Sequence, residues 1–127
     1  MSLAYVDTSC LVAIAFDEAG AGRTAARLRR FERLLSSNVL EAELRSALKR
    51  EGVEGQRLHL LSWLTWIYPN RPLTAEFERI TALGYLKGAD LWHVANALFV
   101  APDARDLTFL TLDTRQKEMA ARLGFAT

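Results

Sequence analysis

Leu3-Ala4-Tyr5-Val6-Asp7-Thr8-Ser9 opens the chain with four largely apolar residues, an acid and two hydroxyls, and a second apolar run follows over 11–16. The first four read as a short strand, and Asp7-Thr8-Ser9 offers turn and cap chemistry before a helix. The same grammar recurs downstream. Leu34-Leu35-Ser36-Ser37-Asn38 reads as a strand running into a cap. An amphipathic helix over 39–50 follows, with Leu40, Leu44, Ala47 and Leu48 on one side, Arg45, Ser46 and Lys49 on the other, and Gly52 ending it. Thr108-Phe109-Leu110-Thr111-Leu112 is the clearest strand after the first, and Asp113 starts a helix that closes near Gly124.

Between these landmarks the spacing predicts helices over 23–33, 58–66, 74–86 and 89–101, the last two separated by Gly88. Pro69 and Pro72 bracket a break, with a brief strand at Ile67-Tyr68. Short apolar strands alternating with longer helices specify the α/β class: a central, mainly parallel sheet covered by helices on both faces, a three-layer α/β/α sandwich. In such sheets ligands sit beyond the carboxyl ends of the strands.

A chain of 127 residues supports one compact domain with its own core, so a single domain over 1–127 is expected. With 50% apolar and 24% charged residues, the composition is that of a globular protein rather than a disordered or fibrous one. Sixteen Lys and Arg against fifteen Asp and Glu leave a net charge of +1, so contact with nucleic acid has to come from local patches. The single cysteine, Cys10, excludes an intrachain disulfide and multi-cysteine zinc patterns. The apolar run 11–16 is too short to span a membrane and lacks a basic lead, so a cytoplasmic protein with no membrane contact is expected.

Asp7 follows the first strand and Asp113 follows the last, so both belong at one edge of the sheet. Asp90, in the first turn of its helix, shares a stripe with Val94, Ala97 and Ala101 and therefore faces inward. Glu43 lies on the flank of its helix's apolar face, and periodicity alone does not prefer it over Glu41. Were four such carboxylates to sit about 5 Å apart at an effective dielectric near 20, each ionised pair would repel by roughly 3 kcal/mol, and the sum would rival the ~5–15 kcal/mol stability of a domain. A cation or raised pKa values must offset that repulsion. Oxygen ligands without Cys or clustered His favour Mg²⁺ or Mn²⁺ over zinc. A water acidified by such an ion can attack a phosphodiester, with a second ion about 4 Å away on the leaving oxygen.

At this point the residues resemble a known family. Tyr5-Val6-Asp7-Thr8-Ser9, Glu43-Leu44-Arg45 with Ala47-Leu48, Gly88-Ala89-Asp90-Leu91-Trp92-His93-Val94-Ala95, and Leu110-Thr111-Leu112-Asp113 with Ala120 and Leu123-Gly124 are similar to the PIN domain. Within it the chain most resembles VapC-type toxins of toxin-antitoxin pairs. The resemblance implies a PIN-like α/β/α sandwich and a Mg²⁺- or Mn²⁺-dependent endoribonuclease holding its metal through Asp7, Glu43, Asp90 and Asp113, which also selects Glu43 over Glu41. It implies supporting roles beside the metal for Ser9 and Thr111, an RNA substrate, a homodimer and a cognate antitoxin protein.

Local readings compete with each acid. Asp113 with Gln116 fits a capping box, Asp7 an ordinary turn, and Asp90 a helix-dipole partner. Glu43 caps nothing. His93 is expected to pack or bond locally, and His59 to be incidental. Arg23, Arg27, Arg29, Arg30 and Arg33 suit RNA phosphates, an acidic antitoxin segment or solvent alike, whereas Trp63, Trp66, Tyr68 and Trp92 are expected to pack. A haloacid-dehalogenase-like phosphatase would need a second Asp where Ser9 stands, and a receiver-like domain a Lys after a late strand that is not evident. A PIN-like module that binds RNA or protein without cutting is the non-enzymatic alternative.

Overall fold

The computed structural model describes residues 2–127. Four strands, β1 (Leu3–Val6), β2 (Arg33–Ser37), β3 (Leu64–Ile67) and β4 (Thr108–Leu110), form one all-parallel sheet in the order β3-β2-β1-β4. Among the described residues seven α-helices accompany it: α1 (Thr8–Ala15), α2 (Ala21–Leu28), α3 (Asn38–Glu51), α4 (Glu54–Arg57), α5 (Thr74–Thr81), α6 (Gly88–Val100) and α7 (Thr114–Leu123).

Side chains alternate across a pleated strand, and here both faces are dry. Ala4 and Val6 of β1, Leu34 of β2, Leu64 of β3 and Leu110 of β4 join Leu11, Leu28, Leu40, Leu44 and Leu48 in one core, under the helices from α1 to α3. Tyr5, Leu35, Ile67 and Phe109 point the other way, into a second core with Leu73, Ile80, Val94, Leu98 and Met119 from α5, α6 and α7 and the turn before α5. Tyr5 and Phe109, paired in register on adjacent strands, stack with ring centroids 5.3 Å apart. The expected three-layer sandwich with a parallel sheet is therefore the observed one.

The order also locates the crevice. From β1 the chain moves outward to β2 and β3, then returns across the sheet to lay β4 on the other side of β1. The carboxyl ends of β1 and β4 thus flank a topological switch point, where the following helices diverge and leave room for a ligand.

Several local expectations need correction. The predicted helix over 58–66 is a 3-10 turn (Leu58–Trp63) followed by β3, because Leu64-Thr65-Trp66-Ile67 pairs along Leu34–Ser37 and tertiary pairing overrides a short apolar run's ambiguous periodicity. The brief strand expected at Ile67-Tyr68 consequently lies earlier. The Arg-rich helix ends at Leu28, leaving Arg33 to start β2. The helix expected to reach Leu86 stops at Thr81, and Gly88 begins α6 instead of merely preceding it. Strand β4 ends at Leu110, since Thr111 and Leu112 turn toward β1. Gly124 closes α7 at φ 107°, a left-handed position favouring glycine, as the sequence implies.

Candidate active site

Asp7 leaves the end of β1 at the N-cap position of α1, yet its side chain caps nothing. It is 2% exposed, and its two oxygens are claimed by hydroxyls from opposite sides: Ser9 Oγ donates to Oδ1 at 2.7 Å and Thr111 Oγ1 to Oδ2 at 2.6 Å. Each hydroxyl is polarised from behind. Ser9 Oγ accepts the N–H of Leu112 at 2.9 Å, and Thr111 Oγ1 accepts the N–H of Asp113 at 3.0 Å. A hydroxyl that accepts a backbone amide has its single proton free to give away, and both protons go to Asp7. The arrangement clamps the β4–α7 turn onto the β1–α1 turn and requires Asp7 to accept on both oxygens. Burial still pushes the Asp7 carboxyl above its usual range, against the pull of the Thr111 and Ser9 hydroxyls and of His93.

A second chain of bonds reaches Glu43. Tyr5 Oη accepts the N–H of Ser37 at 3.2 Å, which leaves its proton for His93 Nδ1 at 2.7 Å. The imidazole then carries its hydrogen on Nε2, 3.1 Å from Thr8 Oγ1, and Thr8 in turn donates to Glu43 Oε1 at 2.6 Å. The His93 side, first, and the Thr8 hydroxyl hold the Glu43 carboxyl below its usual range despite partial burial. Glu43 is exposed on α3 but not free. The chain that steadies it crosses β2, β1, α6 and α1.

Asp90, half-buried in the first turn of α6, and the exposed Asp113 line one concavity of about 320 Å³ with Lys87 and Arg115. Burial and then the charge of Asp113, with a further contribution from Glu43, raise the Asp90 carboxyl. Gln116 joins this pair through Nε2, which donates to the Asp90 carbonyl at 3.3 Å, while its Oε1 lies 3.1 Å from Thr111 Oγ1 as a second acceptor competing with Asp7 for that hydroxyl's one proton. Asp113 accepts the Gln116 N–H at 2.8 Å, so its capping role is real. The Gln116 side chain, however, serves the crevice instead of returning to complete the box.

Asp7, Asp90 and Asp113 are therefore connected around one end of the sheet and Glu43 is held by a separate chain through Thr8, although among the described residues no three Asp, Glu, His or Cys side chains are grouped tightly enough to hold a metal ion. Larger hollows lie elsewhere. One of about 520 Å³, between Phe31, Arg33, Trp63 and Thr65, sits at the starts of β2 and β3, the end of a parallel sheet that does not bind ligands. Cys10 is buried and its thiol is pushed up to about 12, which removes it as a nucleophile.

Sequence reading undervalued His93: it bonds Tyr5 and Thr8, far away in the chain, not its own helix neighbours. The signal was present, since Tyr5 and Asp7 share a strand face and Asp90 and His93 are three apart on one helix. Arg23 and Arg27 border a small hollow beside Thr111 and Leu112, whereas Arg29 and Arg33 border the distant one. Among the described residues, His59 meets Trp63 edge-on as its one aromatic partner.

The family profile described as PIN domain matches residues 4–122, from the first strand to the last helix. The chain belongs to the PIN domain family. No significant match was found among curated proteins or among solved structures. PIN domains are nucleases in general and typically bind divalent metals, so a nuclease-type function acting on nucleic acid is the coarse assignment. No helix among the described residues is long and apolar enough to cross a membrane.

Proposed function

We propose that this PIN domain, acting as one unit over 1–127, is a Mg²⁺- or Mn²⁺-dependent endoribonuclease and the toxin of a VapC-type toxin-antitoxin pair in the cytoplasm. The observation that carries the nuclease reading is Asp7: a buried carboxylate held as an acceptor on both oxygens and joined through Thr111 to the Asp113 backbone, next to the concavity that Asp90 and Asp113 line. Burying charge this way costs stability unless something gains from it.

The donor set is all oxygen and fits a hard cation. Asp7, Glu43, Asp90 and Asp113 would hold it, and when bound it would supply an activated water and neutralise charge on the phosphate. Around it the chain's own work is positional. Ser9 and Thr111 aim Asp7 and favour its ionised form against the opposing effect of burial, Thr8 and His93 steady Glu43, and Gln116 ties the Asp90 turn to the Asp113 turn. Lys87 and Arg115 on the rim provide positive charge for a phosphodiester.

The open spacing of the acids favours one alternative, a PIN module that binds without cutting. Incubation of total RNA with the protein and Mg²⁺ or Mn²⁺, followed by mapping of the ends, is expected to show discrete internal cuts that disappear with chelator. Binding with no cuts under either metal would select the silent module. The toxin role predicts a homodimer that co-purifies from its native operon with a small antitoxin. A protein that is always recovered alone would count against that role while leaving the nuclease in place.

A further inference from the structure

The two edges of the sheet are finished differently. Beside β4 lies the segment after α7: the Phe109 N–H donates to the Ala126 carbonyl at 2.8 Å, and Thr108 forms a parallel bridge with Ala126. β3 is paired with β2 alone, and among the described residues nothing outside that ladder bonds to the backbone of Thr65, Trp66 or Ile67. A strand with one neighbour presents a row of unpaired N–H and C=O groups on its other side. Proteins blunt such an edge with lysine, proline or a bulge, and Leu64-Thr65-Trp66-Ile67 has none of these.

Next to this edge is the hollow of about 520 Å³, large enough to take a bulky side chain. Leu28, Phe31, Leu34 and Trp63 give it an apolar lining, and Thr65 of the edge strand is part of its wall. Arg29 and Arg33, both exposed, border it against a single acid, Glu32. Among the described residues neither arginine is in an ion pair.

We infer that β3 and this hollow are the docking site for an extended, acidic segment of another protein. The segment adds a strand alongside β3, sets a large apolar side chain between Phe31 and Trp63, and meets Arg29 and Arg33 with carboxylates. Backbone pairing supplies affinity in this mode, and the pocket beside the edge supplies specificity. A second copy of the chain is the other candidate for an open edge. Laid antiparallel about a twofold axis, it would bring its own Tyr68-Pro69-Asn70-Arg71 to the arginine end, a stretch with another cation and no acid. The charges therefore select a different, acidic protein. This end of a parallel sheet takes no substrate, but a partner strand binds along an edge and not beyond the strand ends. Asp7 stands at the opposite end of the sheet, so a docked partner leaves the crevice open, and the inference does not depend on whether that crevice cleaves RNA.

The test follows the amide signals of the full, isotope-labelled chain by NMR during titration with a synthetic peptide of about ten residues. The peptide alternates threonine and valine and carries a phenylalanine and a pair of glutamates at one end; a twin with lysines for glutamates is the comparison. The acidic peptide is expected to shift Thr65, Trp66, Ile67 and the Trp63 indole, and to bind roughly tenfold more tightly than its twin. Arg33→Glu and, separately, Arg29→Glu, both at exposed positions, should reverse that preference, which a general loss of structure would not do. Shifts at Asp90 and Asp113 instead, equal binding of the two peptides, or no shifts up to about 1 mM overturns the inference. So does a free protein that sediments as a dimer with its Thr65, Trp66 and Ile67 amides already protected from exchange, since a second copy then holds the edge.

Discussion

Asp90→Asn is expected to abolish cleavage and, in the same protein, to raise the melting temperature. The two effects share one cause. Burial and the neighbouring Asp113 raise the Asp90 carboxyl, so its ionised form is the unfavourable one in the folded state. For an acid with a raised folded pKa, the stabilising contribution is complete below the unfolded value and is lost as pH rises through the folded value. At neutral pH the wild type therefore carries a cost that the amide removes, on the order of 0.5–1 kcal/mol for a half-exposed, screened group, or roughly 2–6 °C. Added Mg²⁺ or Mn²⁺ should raise the wild-type melting temperature, since a ligand that binds only the folded state stabilises it, and this response should shrink in the variant. Cleavage at the wild-type rate, or a lower melting temperature with intact far-ultraviolet dichroism, would refute the assignment of Asp90.

Thr111→Val, nearly isosteric, should destabilise the fold by about 2–4 kcal/mol at neutral pH. It removes a hydrogen bond to a buried carboxylate, worth about 1.5–3 kcal/mol, and leaves that buried Asp7 oxygen short of a donor, while the Asp113 N–H of an exposed residue can turn to water. The pH dependence is the sharper test. The Thr111 hydroxyl favours ionised Asp7, so its loss lifts a carboxyl that burial has already raised. By the same sign rule the variant suffers most where Asp7 is ionised and least where it is protonated, so the gap from wild type should narrow as pH falls toward 4. The acid limb of the pH–rate profile should also move to higher pH. A gap that is constant from pH 8 to pH 4 would mean that Thr111 acts through packing alone.

Much of the architecture was legible because burial on both faces of a parallel sheet leaves continuous apolar strands such as Leu3-Ala4-Tyr5-Val6, and helices such as 39–50 carry a clear apolar stripe. The misread segment, 58–66, is short and apolar, and such a run fits an edge strand as well as a helix until a partner strand decides. The Asp7 and Asp113 positions followed from strand ends. Glu43 did not, since its choice over Glu41 rested on family resemblance; in the structure Glu41 pairs with Arg45 on the helix surface while Glu43 meets Thr8.

From the sequence alone came the alternating elements, the acids at their ends and the near-neutral balance that moves any nucleic-acid contact to local patches. These are properties of spacing and composition, which chain order carries. The tertiary structure alone decided which hydroxyl faces which carboxylate: Thr111 meets Asp7, and Tyr5 meets His93, only because β4 returns to the far side of β1 and α6 packs over that face. The contacts join residues 104 and 88 positions apart, and no local periodicity records a partner at that distance.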